Sequence, residues 1–141
     1  MALQLGDVVG EAGKVVRGKY PLIALETGGV EELDVIIATG TQPGPKLLLT
    51  GNIHGNEVNP CIIIHRVLAW LETAVASGEL RGTVALYPSL NPTGHRAKTR
   101  SPSFQAVDPV TKIAHENCWW PAMGPRSLLR PLPRARAAPV T

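Results

Sequence analysis

Aromatic side chains are scarce in this chain: one Phe, two Tyr and three Trp make up 4% of 141 residues, thin for a sequence whose 44% hydrophobic content is otherwise ordinary for a soluble domain. Cysteine is nearly absent. Cys61 and Cys118 make neither a metal-binding pair nor a disulfide framework. Cys61 opens an apolar run and reads as a small core residue. Long hydrophobic runs are missing too. The run Cys61-Ile62-Ile63-Ile64 is followed at once by His65 and Arg66, and no run comes near the ~20 residues that span a bilayer. The N-terminus shows no basic start with an apolar stretch, because Gly6, Asp7, Gly10 and Glu11 interrupt it. A cytoplasmic protein with no membrane partner is therefore expected.

An excess of one charge sign is also absent from most of the chain. Residues 1–109 carry nine Lys/Arg against ten Asp/Glu, a balance of −1, whereas residues 110–141 carry five against the single Glu116, a balance of +4. The pI of about 9.1 is thus a property of the tail. No nucleic-acid partner is expected of the folded part. At this length one domain with a real core fits comfortably and two do not.

The residues that are present group into elements. Leu22–Thr27 reads as a short strand with Gly28-Gly29 as the turn after it, and Leu33–Thr39 as a second strand rich in β-branched residues. Gly40–Pro45 reads as a loop. Lys46–Thr50 is almost continuously apolar, as in a strand buried on both faces. A helix follows, with Asn59 as N-cap, Pro60 at its first position, and Ile63, Ile64, Val67, Leu68 and Leu71 at helical spacing; Ser77-Gly78 ends it. Thr83–Tyr87 is another strand. Strand, helix and strand between residues 46 and 87 imply a parallel βαβ unit. The fold class is α/β, a partial mixed or parallel sheet with a crossover helix. Beyond residue 109, Pro121, Pro125, Pro131, Pro133 and Pro139 break every periodicity. Residues 110–141 are expected to be an irregular or disordered basic tail, with Trp119-Trp120 packing locally.

Chemistry is concentrated in two blocks, each following a strand, where ligands bind in open α/β sheets. The first is Gly51-Asn52-Ile53-His54-Gly55-Asn56-Glu57. Its glycines permit tight turns, and His54 and Glu57 offer an imidazole and a carboxylate, both suited to zinc, at a spacing that can aim them at one point. The bland alternative is a hydrogen-bonded polar pair at a strand end. The second block is Asn91-Pro92-Thr93-Gly94-His95-Arg96-Ala97-Lys98-Thr99-Arg100. Its cations Arg96, Lys98 and Arg100 suit an anionic substrate or a developing oxyanion, unless they simply form a solvated basic loop. His95 reads as a solvated loop residue and His65 as structural or exposed.

Together these blocks resemble the succinylglutamate desuccinylase/aspartoacylase family, which is related to zinc carboxypeptidases, over roughly residues 20–109. The resemblance implies a zinc carboxypeptidase-like α/β fold. It also implies a zinc-dependent hydrolase that removes an acyl group from a small-molecule N-acyl amino acid or related amide. By position, His54 and Glu57 match two zinc ligands and Arg100 matches the arginine that polarises the scissile carbonyl and stabilises the tetrahedral intermediate. Asn91 and Pro92 match a structural turn.

The family pattern then stops. Where it continues with Asp-x-Asn-Arg, this chain has Asp108-Pro109-Val110-Thr111. The family's third zinc ligand, a later histidine, and its glutamate base have no counterpart, and His115 and Glu116 arrive too early. The expectation is an N-terminal hydrolase part over 1–109 joined to a frame-shifted or otherwise aberrant end over 110–141, hence a truncated enzyme. The alternatives are an inactive fragment or non-catalytic binding module and, among enzymes, a metallocarboxypeptidase.

Overall fold

The structure, a computed structural model, describes residues 2–24 and 28–101, together with the backbone of 106–107 and 114–115. A small hairpin, β1 (Gln4–Leu5) and β2 (Val8–Val9), precedes two long antiparallel strands, β3 (Lys14–Ala24) and β4 (Val30–Thr39). Then come β5 (Gln42–Thr50), helix α1 (Asn59–Ala76), β6 (Arg81–Tyr87) and the short helix α2 (Pro92–Ala97). The sheet order is β3-β4-β6-β5. β4 and β6 are antiparallel, and β5 and β6 are parallel across the α1 crossover. The sheet is therefore mixed, as expected. Backbone pairs of two residues each, β7 (Ala106–Val107) and β8 (Ala114–His115), form a separate antiparallel ladder. The expected tail, including Trp119-Trp120, and residues 25–27 of the first expected strand otherwise lie outside the described residues.

Strand alternation builds two cores. Ile36 and Ala38 of β4 join Val84 and Leu86 of β6 under Ile64, Leu68, Leu71, Ala74 and Val75 of α1. The residues between them, Leu33, Val35 and Ile37 of β4 with Ala85 and Tyr87 of β6, face the opposite side and pack with Leu5 and Val8 of the hairpin. Each large aliphatic side chain buried this way contributes about 1.5–3 kcal/mol. The α1 stripe explains why the helix exists at all: its first turn carries no acidic residue, its last no basic one, and no side chain caps it. Its N-cap is Val58, so Asn59 and Pro60 each sit one position further into the helix than expected. Cys61 is partly exposed rather than a core residue.

Two expectations for β5 are corrected. The segment Gly40–Pro45 is not wholly loop, because the strand starts at Gln42 opposite Arg81 and resumes regular pairing at Lys46 opposite Thr83. Four steps of β5 there span two steps of β6, so the Pro43-Gly44-Pro45 stretch bulges. The bulge lies on Gly82 (φ +83°), where an added Cβ would stand 2.1 Å from the Pro45 oxygen. Nor is Lys46–Thr50 buried on both faces: Leu47 is 52% and Leu48 41% exposed. Among the described residues β5 is an edge strand, and only Leu49 packs against the α1 core.

Candidate metal centre

The parallel pair β5/β6 ends in a joint. The Gly51 amide donates to the Tyr87 carbonyl (2.9 Å) and the Leu90 amide to the Gly51 carbonyl (3.0 Å). This clamps the two strand ends, so the segments that leave them, 52–57 and 88–100, emerge side by side.

Asn52 turns the first segment. It lies in the left-handed region at φ +50°, which Asn tolerates better than most residues, and it is 1% exposed. Its Nδ2 group donates to the carbonyls of His54 (2.8 Å), Gly55 (3.1 Å) and Glu57 (2.9 Å). Its Oδ1 accepts from the Ser89 hydroxyl at 2.6 Å. The loop thus curls around one buried amide, and the Glu57 amide closes the turn onto the His54 carbonyl at 3.0 Å.

The second segment is organised by Asn91, fully buried. Its Oδ1 caps α2 by accepting from the Gly94 amide (2.8 Å), and its Nδ2 donates to the carbonyls of Ile53 (3.2 Å) and Arg100 (3.1 Å). α2 was not anticipated from the sequence, where the block after β6 was read as a loop. Lys98, at φ +56°, ends the helix. Gly55 joins the two segments: its amide donates to the Arg100 carbonyl (3.0 Å) and its carbonyl accepts from His95 Nδ1 (3.1 Å). An added Cβ at Gly55 would stand 2.1 Å from the Gly94 carbonyl carbon, so only glycine permits this approach. His95 therefore fastens the loop and is not simply solvated.

The outcome is that three residues singled out from the sequence converge. His54 Nδ1 lies 2.9 Å from Glu57 Oε1, and Arg100 Nη1 lies 3.6 Å from the same oxygen. Arg96, by contrast, turns away and donates to both carboxylate oxygens of Glu31, each at 2.9 Å. His65 is exposed on α1, on the groove formed with Arg17 and Asp34. Among the described residues no group of three or more His, Cys, Asp or Glu comes together.

The donor set fits a zinc ion as two of its ligands. Two donors on a tetrahedral zinc stand ~3.3 Å apart, so the observed pair needs to open by only roughly 0.4 Å to admit the ion. As a plain ion pair the couple would add little, since Glu57 is 48% exposed and such surface pairs are worth about 0–1 kcal/mol. Asn52 and Ser89, whose hydrogen bonds shape this loop, were not singled out from the sequence. The available signal was an Asn directly after Gly51 at a strand end, a residue type that accepts φ above zero.

Comparison with known proteins finds similar chains. Residues 43–105 match the model of the succinylglutamate desuccinylase/aspartoacylase catalytic domain. Among solved structures, an aspartoacylase family protein from Mesorhizobium loti is 30% identical with a TM-score of 0.52, over 61% of this chain and 26% of that one. The product-bound ectoine utilization protein from Ruegeria pomeroyi is 26% identical with a TM-score of 0.52, over 63% of this chain and 27% of that one. A succinylglutamate desuccinylase/aspartoacylase from Rhodobacter sphaeroides, 22% identical, shares the fold with a TM-score of 0.55 over 74% of this chain and 34% of that one. This chain therefore spans about a quarter to a third of the length of the structures it resembles. No curated protein matches it. The resemblance read from the sequence is borne out over this N-terminal part.

Proposed function

We propose that this chain carries the N-terminal part of a zinc-dependent hydrolase that cleaves the amide bond of N-acyl amino acids or related compounds, on a zinc carboxypeptidase-like fold. His54 and Glu57 are its zinc ligands and Arg100 its oxyanion-stabilising residue. One observation carries the reading: a ring nitrogen, a carboxylate oxygen and a guanidinium meet at one rim, 2.9 and 3.6 Å apart, beyond the ends of the parallel strands. Zinc, when bound, supplies Lewis acidity to water and to a carbonyl oxygen.

The chain's own residues do the rest. His54 and Glu57 present their donors from a turn fixed by the Asn52 amide, so little reorganisation is needed on loading. Arg100 is held at its backbone, where its carbonyl accepts from Gly55 and Asn91, while its side chain is 63% exposed. That guanidinium is free to swing from Glu57 onto the carbonyl oxygen as negative charge develops there. The remaining ligand and the general base are assigned to no residue described here.

A second reading, a non-catalytic binding module, is favoured by the pair's having no third partner of its kind among the described residues. A zinc titration of the full chain, followed by assay against a panel of N-acyl amino acids, separates the two. The hydrolase reading expects zinc-dependent turnover, lost with zinc binding in His54→Ala. In Arg100→Ala zinc should be retained and kcat should fall about 100-fold or more. Stoichiometric zinc without turnover would favour the binding module; no zinc binding at all would overturn the metal site.

A further inference from the structure

We infer that Asn52 is the positioning residue of this site: its buried side-chain amide holds His54 and Glu57 aimed at one point, so zinc affinity depends on a residue that touches no metal. This rests on the proposed zinc site and deepens it.

The backbone at Asn52 does not by itself demand asparagine. Glycine takes φ +50° with less strain, so what asparagine adds is the amide. Two N–H hydrogens serve three carbonyls, those of His54, Gly55 and Glu57, so at least one is shared. The amide's orientation is set by its other end. The backbone N–H of Asn91 donates to Ser89 Oγ (3.3 Å), which directs the Ser89 hydroxyl proton onto Asn52 Oδ1 (2.6 Å). With Oδ1 engaged there, Nδ2 must face the loop. The carbonyls it holds belong to both proposed ligands and to the residue after the first. A displacement of either carbonyl rotates the side chain attached to the same residue. Groups that orient metal ligands from behind in this way typically carry 10–100-fold in affinity.

The test uses the full 141-residue chain with Asn52→Gly, Asn52→Asp and Ser89→Ala, read in metal-free and zinc-titrated protein. Asn52→Gly relieves the backbone and removes only the amide. Amide hydrogen exchange at Gly55 and Glu57 should then quicken at least about tenfold, with α1 and β6 amides unchanged. Its zinc Kd by chelator competition should rise about 10–100-fold, and the visible spectrum of the Co²⁺-loaded protein should shift. Asn52→Asp turns a carboxylate oxygen on the carbonyls and should be worse than glycine; Ser89→Ala should be milder than either. A merely structural role predicts something different: equal loss of Tm in metal-free and zinc-loaded protein with an unchanged zinc Kd, and that result overturns the inference. Unchanged exchange at Gly55 and Glu57 overturns it too. If the wild-type chain itself bound no zinc, the metal reading would fall, while the exchange comparison would still decide whether Asn52 holds the loop.

Discussion

Tyr87 ends β6 with its ring packed edge-on against Tyr20, centroids 6.3 Å apart at 77°, and with its hydroxyl buried and unpartnered among the described residues. A buried hydroxyl without a partner costs about 1–3 kcal/mol. Tyr87→Phe should therefore raise stability by about 1 kcal/mol, read as a higher urea midpoint at unchanged slope. Burial also pushes the Tyr87 phenol well above its ordinary value. An unfolded tyrosine releases its proton near pH ~10, whereas the folded one does not, so the folded state keeps its full stability below about pH 10 and loses it as pH rises beyond. Lys14 and Lys19, raised by their contacts with Glu11 and Asp34, lose stability in the same direction, but they are present in both proteins. Unfolding of wild type and Tyr87→Phe at pH values between about 9 and 11 should thus diverge with rising pH, the wild type falling faster. Parallel curves would show that the phenol is solvated. At this scale the meeting of His54 and Glu57, the proposed ligands, was legible because an imidazole and a carboxylate stand three residues apart among glycines that permit tight turns. Asn52 was not, because its role lies in three backbone carbonyls that no side-chain pattern records.

Among the elements, α1 shows both the power and the edge of periodicity. Ile64, Leu68 and Leu71 were expected in the core and are buried, Val67 is partly so, but Ile63 is 59% exposed. Successive helical positions differ by 100°, so Ile63 and Ile64 cannot both face the sheet centre. Leu68→Ala should cost about 2–5 kcal/mol, and Ile63→Ala no more than about 0.5 kcal/mol, by denaturant unfolding. Comparable losses would mean that something covers the Ile63 flank. The start of β3 went unread, because Lys14, Arg17 and Lys19 interrupt its apolar residues. Two of these cations pair with other elements, Arg17 with Glu72 of α1 and Lys19 with Asp34 of β4, which the local sequence does not announce. α2 went unread for the opposite reason. Pro92 and Gly94 argue for a loop, and the helix depends on the Asn91 cap and on the fit against Gly55, a tertiary contact.

At the scale of the whole molecule the same apolar run that located β5 misjudged its surroundings. A continuous Leu47-Leu48-Leu49 states that both faces are apolar, not that both are covered. The sheet runs β3-β4-β6-β5 and, among the described residues, stops there. Leu47 and Leu48 point to opposite faces, at 52% and 41% exposure, while Ile63 and Trp70 lie exposed on α1 at 59% and 63%. An edge strand with apolar side chains on both faces is a template for another strand. Pro43 and Pro45 offer no N–H, which confines the adhesive stretch to Lys46–Thr50. The intact chain should therefore self-associate with rising concentration, and Leu47→Lys with Leu48→Lys should suppress this in sedimentation velocity while changing stability by less than about 1 kcal/mol. Salt discriminates the cause. Association through the edge should persist as ionic strength rises, whereas association driven by the +4 charge of residues 110–141 should weaken as the screening length falls from about 10 Å at 0.1 M to about 3 Å at 1 M. If salt dissolves the oligomers and the two lysines do not, the tail and not the edge of the sheet holds the copies together.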